Sequence, residues 1–314
     1  MNVLSLFDGM SCGQLALQKA GIKYDNYFAS EIDKWAIQIT QKNFPDTIQL
    51  GDVIRWADWH LPKIDLLIGG SPCQGFSVAG AGLNFSDPRS ELFFRYVDIL
   101  KRLKPKYFLL ENVRMKKEWK DIISKHLGIE PIEINSALVS AQNRVRLYWT
   151  NIPNITQPED RGLLLKNIIE FGVVDRDKSY CIDANYFKGG SLKMYSEKKR
   201  RQIVNLPHEP IRQSEKRLCV QVGETTDIKG HDIIKRVYSI EGKSPALKSM
   251  RGGHREPKIA TNEMLWRKLT PLECERLQTV PDNYTEGVSN TQRYKMLGNG
   301  WTVDVVAHIL KNIL

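Results

Sequence analysis

The first half of the chain alternates short apolar runs with segments whose apolar residues recur at helical spacing. Runs at 3–7, 27–33, 64–70 and 106–113 are typical of strands, IQLGDV at 48–53 contains the end of another, and helical patterns cover 11–21 and 34–44. Gly21 is suited to cap the first helix at its C-terminus. This alternation predicts an α/β fold, with a parallel sheet covered by helices.

After about residue 175 the pattern changes. Segments rich in Gly, Ser and basic residues predict a small, irregular, β-rich lobe over 176–265. Helical patterning returns with TPLECERLQ, for which Thr270 is the expected N-cap and Pro271 the first helical residue, and 301–314 forms an amphipathic helix. We predict a catalytic and cofactor-binding domain over 1–175, a second domain over 176–265, and a return of 266–314 to the first.

Composition indicates an ordinary globular protein of 314 residues, 41% hydrophobic and 26% charged. No apolar run reaches the roughly 18 residues of a membrane helix, and the N-terminus does not resemble a signal peptide. We therefore expect a cytoplasmic protein without a membrane partner. Five scattered cysteines without a CxxC pair, and six histidines without a cluster, predict reduced thiols and no metal site.

The net charge of +10 is concentrated in one segment. Residues 178–265 hold 18 Lys and Arg against 10 Asp and Glu. A concentrated basic segment favours a polyanionic partner, since each neutralised phosphate releases counterions. A solvated basic surface explains the charge equally well.

Polar residues follow the predicted strands, where ligands of parallel sheets bind. They are Asp8, Glu31, Asp52, Cys73 and Glu111. The segment FDGMSCG lacks the GxGxxG dinucleotide pattern, but its glycines allow a ligand to approach a helix N-terminus closely. An acid after the second strand suits ribose hydroxyls and one after the third an adenine amino group, which favours an adenosine-type cofactor. Loop capping is the simpler alternative.

Cys73, in GGSPCQGFSVAG (69–80), has the context of a nucleophile, because it follows a strand in a glycine-rich loop. The other cysteines (Cys12, Cys181, Cys219, Cys274) are expected to be inert small hydrophobes, with Cys12 near the cofactor. A Cys–His protease dyad has no supporting pattern around the histidine that follows. Attack on an electron-poor ring carbon would need an acid, available in Glu111, and a positive clamp, available in Arg144 and Arg146 on one strand face.

SPCQGFS, ENV and QNRVR, in this order behind FDGMSCG, resemble the DNA (cytosine-5) methyltransferases of bacteria and phages. RKLTPLECERLQTVPDNY (267–284) and MLGNGWTVDVV (296–306) are similar to two further family motifs. The FDG opening and the Trp after Gly300 are more similar to the mammalian de novo enzymes than to the common bacterial patterns FxGxGG and GNxV. The resemblance covers most of the chain outside 175–265. It implies a Rossmann-like, S-adenosylmethionine-dependent methyltransferase sheet with a target-recognition lobe.

The resemblance implies a reaction as well as a fold. A methyl group passes from S-adenosyl-L-methionine to carbon 5 of cytosine, and S-adenosyl-L-homocysteine is the product. Cys73 matches the thiolate that attacks carbon 6, and Glu111 the acid that contacts the ring nitrogen and exocyclic amine. Arg146 matches the arginine on the base carbonyl, and Arg144 its partner that orders Glu111.

The cofactor contacts implied by the resemblance come from several motifs. They are Phe7, Asp8, Gly9, Met10, Cys12, Glu31, Ile32, Asp52, Val53, Pro72, Leu92, Asn299, Gly300 and Trp301. This sequence departs from the family pattern in two places. Ser11 and Cys12 replace glycines, and Trp301 replaces a small aliphatic residue, which narrows the expected pocket.

A cytosine inside a stacked duplex cannot be attacked, so the target base must flip out of double-stranded DNA. The expected DNA contacts are Gln74, Ser77, Arg89, Gln142, Lys198, Lys199, Arg200, Arg201, Arg251 and His254. We expect a monomer, with a cognate restriction endonuclease as a candidate partner.

Three alternatives share these features. A transfer-RNA cytosine-5 methyltransferase uses the same motif set. A catalytically silent DNA-binding protein would keep the fold, although the intact Cys73, Glu111, Arg144 and Arg146 argue against it. A free-nucleotide enzyme with the same thiol chemistry would leave the basic segment unexplained.

Overall fold

The computed structural model describes residues 1–71, 88–188, 195, 197–206, 221–224, 236–238, 258–259 and 266–313. For 88–90, 221–224, 236–238, 258–259 and 266 it describes the backbone only. The chain forms two compact units. The first contains Met1–Ile168, Arg176–Lys188 and Thr270–Leu314, and the second contains Ile169–Asp175 and Gly189–Leu269.

The first unit contains a seven-stranded sheet with the order β3-β2-β1-β4-β5-β7-β6. The neighbours from β3 to β5 are parallel, whereas β7 is antiparallel to both β5 and β6. The strands are β1 (Asn2–Leu6), β2 (Asn26–Ser30), β3 (Ile48–Gln49), β4 (Leu66–Gly69), β5 (Tyr107–Val113), β6 (Ile132–Asn135) and β7 (Val145–Thr150). The predicted parallel α/β sheet is confirmed, with an antiparallel strand inserted near one edge.

Seven α-helices of the described residues belong to this unit. They are α1 (Cys12–Ala20), α2 (Lys34–Asn43), α3 (Pro88–Leu103), α4 (Lys117–Leu127), α5 (Pro271–Leu277), α6 (Asn290–Asn299) and α7 (Val303–Leu310). The predicted caps are confirmed. Gly21 ends α1 with a φ of 74°, and Thr270 forms a capping box with Glu273 in front of Pro271. The last helix begins at Val303, two residues later than the pattern predicts.

The strand order creates a switch point between β1 and β4, because the chain winds outward from β1 to β3 and then returns to the other side of β1. The register aligns the ends of these strands. Leu6 lies between Ser30 and Gly69, and Gly69 lies beside Leu110. The residues that follow therefore meet at one edge of the sheet, where ligands of such folds bind.

The second unit contains short strands in its described parts. They are β8 (Ile203–Asn205), β9 (Gln221–Glu224), β10 (Arg236–Tyr238), β11 (Lys258–Ile259) and β12 (Trp266–Lys268). Three form one sheet in the order β11-β10-β9, and β12 pairs antiparallel with β8. The unit differs from the predicted 176–265 domain at its edges, because it includes 169–175 and 266–269 and excludes 176–188. Its role in target recognition stays a prediction.

Within the described ranges, no helix is both long enough and apolar enough to cross a membrane.

Candidate active site

A cavity of about 350 Å³ lies in the first unit, beyond the carboxyl ends of the strands at the switch point. Its walls include most of the residues that the sequence assigns to the cofactor and to catalysis: Phe7, Asp8, Gly9, Cys12, Glu31, Ile32, Asp52, Val53, Leu92, Glu111, Arg144, Arg146, Asn299, Gly300 and Trp301. The structure thus brings together motifs that are up to about 290 residues apart in the chain.

Sequence reasoning missed several residues of the same walls. These are Ser30, Asp33, Ala36, Gly70, Ser71, Asn112, Val113, Lys295, Met296 and Gly298. Most are immediate neighbours of predicted residues on the same loops, so the motif positions themselves were the only signal for them. Two of these residues form an ion pair, between Lys295 Nζ and Asp33 Oδ2 at 2.6 Å.

The loop after β1 has an unusual backbone. Phe7, Gly9 and Ser11 have φ values of 57°, 61° and 62°. The left-handed region is costly for side chains other than glycine, so the surrounding structure must hold the loop. The Gly9 N–H donates to Glu31 Oε2 at 2.8 Å, and the Tyr284 hydroxyl donates to the Met10 carbonyl at 2.7 Å.

Glu31 is fixed by the backbone before any ligand is considered. Its Oε1 accepts hydrogen bonds from the N–H groups of Ile32 and Asp33 at 2.7 and 2.8 Å, in addition to the Gly9 contact. Beside it, the apolar side chain of Ile32 is 73% exposed and lines the cavity. An exposed isoleucine next to an immobilised carboxylate suits a ligand with a flat apolar ring and adjacent hydroxyl groups.

Asp52 combines capping with a place in the cavity wall. Its Oδ1 accepts a hydrogen bond from the Ile54 N–H at 3.0 Å and caps the short 3₁₀ helix Val53–Asp58. The capping explanation of this acid is therefore correct for one oxygen. Asp52 also lines the cavity, so it stays a candidate for the predicted contact with adenine.

Two predicted contact residues are buried away from the cavity. Met10 is fully buried, its side chain packs beneath Gly300 and it does not line the cavity, so the cofactor contact at Met10 stays a prediction. Gln142 is also fully buried, and its Nε2 donates to the Leu277 carbonyl at 2.7 Å and to Gln278 Oε1 at 3.0 Å. The predicted DNA contact at Gln142 is therefore wrong, because its amide is used inside the protein.

Asp8 is a buried acid on the wall of the cavity. Burial raises its pKa to about 6, even though Tyr27 donates a hydrogen bond to its Oδ1 at 2.7 Å. Its Oδ2 has no hydrogen-bond partner among the described residues. A buried carboxylate oxygen that faces a cavity without a partner is suited to accept a donor from a ligand.

We expect Asp8→Asn to remove a pH dependence from stability. Because the folded-state pKa of Asp8 lies above its ordinary value of 3.8, the native protein binds this proton more tightly, and that stabilisation is lost as the pH rises through about 6. At 1.36 kcal/mol per pKa unit, wild type should lose up to about 3 kcal/mol of unfolding free energy between pH 3.5 and 7, and the variant should not show this loss. Urea unfolding of the ligand-free protein at both pH values measures the loss.

The exposed Asp121 on α4 provides the matched control, since Asp121→Asn should show no such change. A difference between Asp8→Asn and wild type that stays constant with pH would contradict the raised pKa.

Glu111 on β5 forms a buried ion pair with Arg146 on β7. The Nε–Oε1 distance is 2.9 Å, and the two side chains are 11% and 13% exposed. Glu111 pairs in register with Tyr148, so Arg146 is its diagonal neighbour on the same sheet face. The Trp301 indole N–H donates to the second oxygen, Oε2, at 3.2 Å. The cation that pairs with Glu111 is therefore Arg146.

Arg144 instead holds the backbone of the loop after α6. It is buried, and its Nη2 donates to the carbonyls of Gly298 and Gly300 at 3.1 and 2.8 Å. Its Nη1 donates to the Ile182 carbonyl at 3.1 Å. A fixed fork of donors can satisfy three carbonyls at once, so the direct contacts of Arg144 are with the backbone around the cavity.

Cys181 was predicted to be inert but contacts both arginines. Its Sγ lies 3.3 Å from Arg144 Nη1 and 3.9 Å from Arg146 Nη2. Burial alone would raise the pKa of this thiol, but the charges and hydrogen bonds of the two arginines lower it overall. Cys12 follows its prediction, since burial raises its pKa to about 12. No local pattern around Cys181 marks it, because its partners are 35 or more residues away.

The remaining predicted residues have less structural description. Pro72, Cys73, Gln74, Ser77, Arg251, His254 and also Cys219 lie outside the described residues, and Arg89 is described by its backbone in α3 alone. Lys198, Lys199 and Arg200 are exposed and Arg201 is half-buried. They lie outside the helices and strands, with positive φ at Lys199 and Arg201.

The sheet order, the switch-point cavity and the acid–arginine pair on its wall are those of a Rossmann-like methyltransferase. The family model of the C-5 cytosine-specific DNA methylases matches residues 1–314. The chain belongs to this family. The predicted enzyme class, a DNA (cytosine-5)-methyltransferase, is confirmed.

Individual relatives agree with this membership. The chain is 28% identical to an orphan methyltransferase of Bacillus phage SPbeta, covering 100% of this chain and 97% of that protein. It is 30% identical to a type II methyltransferase of Lactococcus lactis subsp. cremoris, covering 99% and 77%. The structure of a methyltransferase from Entamoeba histolytica matches with a TM-score of 0.65 at 18% identity, covering 100% and 97%, which supports the fold.

Proposed function

We propose that this methyltransferase uses S-adenosyl-L-methionine to methylate carbon 5 of a cytosine flipped out of a short duplex DNA sequence, leaving S-adenosyl-L-homocysteine. We further propose that Cys73 forms a transient bond to carbon 6. The observation that carries the proposal is the Glu111–Arg146 pair, buried on the wall of the switch-point cavity. An acid and a cation held together in a concave site are suited to a polar heterocycle.

The cofactor side of the cavity fits an adenosyl group with an amino-acid tail. Exposed Ile32 offers an apolar surface for adenine, and Glu31 has free lone pairs for ribose hydroxyls beyond its three backbone contacts. The unpartnered Asp8 Oδ2 suits a donor on the same ligand. When bound, the cofactor supplies an electrophilic methyl group on sulfur.

On the base side, each residue has a distinct task. The Cys73 thiol gives its proton to water, and its sulfur bonds to carbon 6 while the electron pair of the 5,6 double bond moves to carbon 5. Glu111 shares a proton with the ring nitrogen and accepts a hydrogen bond from the exocyclic amine, while Arg146 donates to the base carbonyl, so charge that develops on the ring is stabilised. After carbon 5 gains the methyl, a water takes the carbon 5 proton, the electron pair of that C–H bond re-forms the 5,6 double bond, and the bond from carbon 6 to sulfur breaks to release the Cys73 thiolate.

The wider context of the enzyme follows from its charge and relatives. The excess of positive charge in 178–265 supports duplex DNA as the partner, with that segment as the target-recognition region. The type II relative makes a cognate restriction endonuclease a candidate partner. We infer a monomer that acts in the cytoplasm.

We expect the enzyme to transfer tritiated methyl groups to plasmid DNA, and not to RNA purified from the cells that supply the plasmid. A base contact in the major groove distinguishes sequences, so bisulfite sequencing of the product should locate methylcytosine at one short recurring sequence. The assay uses the purified full chain, with heat-inactivated enzyme as the control. Methyl transfer confined to RNA, or to neither nucleic acid, would contradict the proposed substrate.

A further inference from the structure

We propose that Trp301 is a positioning residue for Glu111, and that its indole N–H links the wall of the cofactor cavity to the acid that contacts the base. The inference rests on the role proposed for Glu111. Trp301, which the sequence predicts only as a cofactor contact, thereby gains a role in the reaction at the base.

The contact completes the immobilisation of a carboxylate. Arg146 Nε holds Oε1 at 2.9 Å from β7, and Trp301 Nε1 holds Oε2 at 3.2 Å from the loop before α7. With a donor on each oxygen from a different element, the carboxylate plane of Glu111 cannot turn without losing one of them. Its remaining lone pairs therefore keep a fixed direction before the base arrives.

The indole has its own reason to stay in place. Trp301 is only 8% exposed, and a buried indole N–H without a partner costs free energy. Arg144 holds the backbone on the N-terminal side of Trp301, because it donates hydrogen bonds to the carbonyls of both Gly298 and Gly300. Arg144 therefore acts on the acid indirectly, by fixing the loop that presents Trp301.

Gly70 supplies a second, independent observation. A Cβ at this position would lie 2.9 Å from Trp301 Nε1 and 3.1 Å from Glu111 Oε2, so both partners of the hydrogen bond would have to move. The φ of Gly70 is not in the left-handed region, so its backbone does not require glycine. Glycine is needed here because the Trp301–Glu111 contact occupies the space that a side chain would fill.

We expect Trp301→Phe to lower kcat about 10- to 100-fold, the range of a lost hydrogen bond to a charged group, while the Kd for S-adenosyl-L-homocysteine changes less than about twofold. Phenylalanine keeps an aromatic wall and removes the N–H. In a Glu111→Gln background the same substitution should have little further effect, because the two residues act as one unit. Single-turnover kinetics and calorimetry measure these quantities.

Gly70→Ala tests the same contact without changing either partner. Its methyl group should separate the indole from the carboxylate and lower kcat by a similar factor. If Trp301→Phe fails to fold, this variant carries the kinetic test.

A second readout needs no activity. The chain has seven tryptophans, and the indole ¹H–¹⁵N signal missing in Trp301→Phe identifies Trp301. That signal should move in Glu111→Gln and in Gly70→Ala, but not in Glu159→Gln, an exposed control. An unmoved signal, or a loss of product affinity with unchanged kcat, would overturn the inference. If the signal moves in both variants but the wild-type protein transfers no methyl group, the contact is supported and the proposed function is contradicted.

Discussion

Cys73→Ala should abolish methyl transfer to DNA, with a loss of about 10⁴-fold or more in the single-turnover rate. Without the thiolate no electron pair is delivered to the ring, and carbon 5 of cytosine is too weak a nucleophile to accept a methyl group. Circular dichroism and DNA binding should match wild type, since the proposed role of the sulfur is chemical. Radiolabelled methyl transfer onto plasmid DNA measures the loss.

Covalent trapping makes this prediction specific to one cysteine. DNA with 5-fluorocytosine at the target should form a denaturation-resistant complex, because fluorine cannot leave carbon 5 as the proton does. Wild type and Cys12→Ala should form it, since Cys12 lines the same cavity but burial raises its pKa to about 12. Trapping by Cys73→Ala would indicate another nucleophile, and a loss of folding in that variant would indicate a structural role.

Glu111→Gln should lower kcat by about 10²- to 10⁴-fold, the usual contribution of a positioned acid or base. Glutamine has nearly the same shape, so it can still lie beside Arg146, but it has neither the charge nor the transferable proton. The substitution also leaves the 13%-exposed Arg146 without a compensating charge from its partner, so some stability should be lost as well. Single-turnover rates and urea unfolding separate these two effects.

Glu91→Gln is the matched control for losing an acid–arginine pair. Glu91 pairs with Arg95 at 2.6 Å on α3, but both side chains are considerably more exposed. Exposed pairs of this kind contribute little, so neither rate nor stability should change appreciably. If Glu111→Gln loses stability and keeps full kcat, Glu111 is only a structural counter-charge for Arg146.

The sequence pattern does not predict that the two arginines have different partners, Glu111 for Arg146 and backbone carbonyls for Arg144. Their alternate positions predict one shared strand face, and nothing in that spacing says which of them meets the acid. The answer depends on the β5–β7 register, which puts Tyr148 opposite Glu111 and makes Arg146 the diagonal neighbour. Arg144 precedes the strand and therefore reaches the loop after α6.

Buried polar residues were the other source of error. Gln142 lies in a predicted motif, yet its amide bonds to Leu277 and Gln278, more than 130 residues later. Cys181 resembled an ordinary apolar position, yet its sulfur contacts two cations. In each case the deciding partner comes from a distant part of the chain, so no local window contains it.

The sequence by itself determined the strands β1, β2, β4 and β5, the helices α1, α2, α5 and α7, the caps at Gly21 and Thr270, the edge of the sheet where polar residues gather, and the family. These features depend on short-range periodicity and on motif order, which the chain carries locally. Only the tertiary structure decided that Arg146 and Trp301 hold Glu111, that Arg144 holds the backbone before Trp301, and that Met10 and Gln142 are buried. Such contacts join residues up to 190 positions apart, and their geometry is fixed by strand register and packing rather than by spacing along the chain.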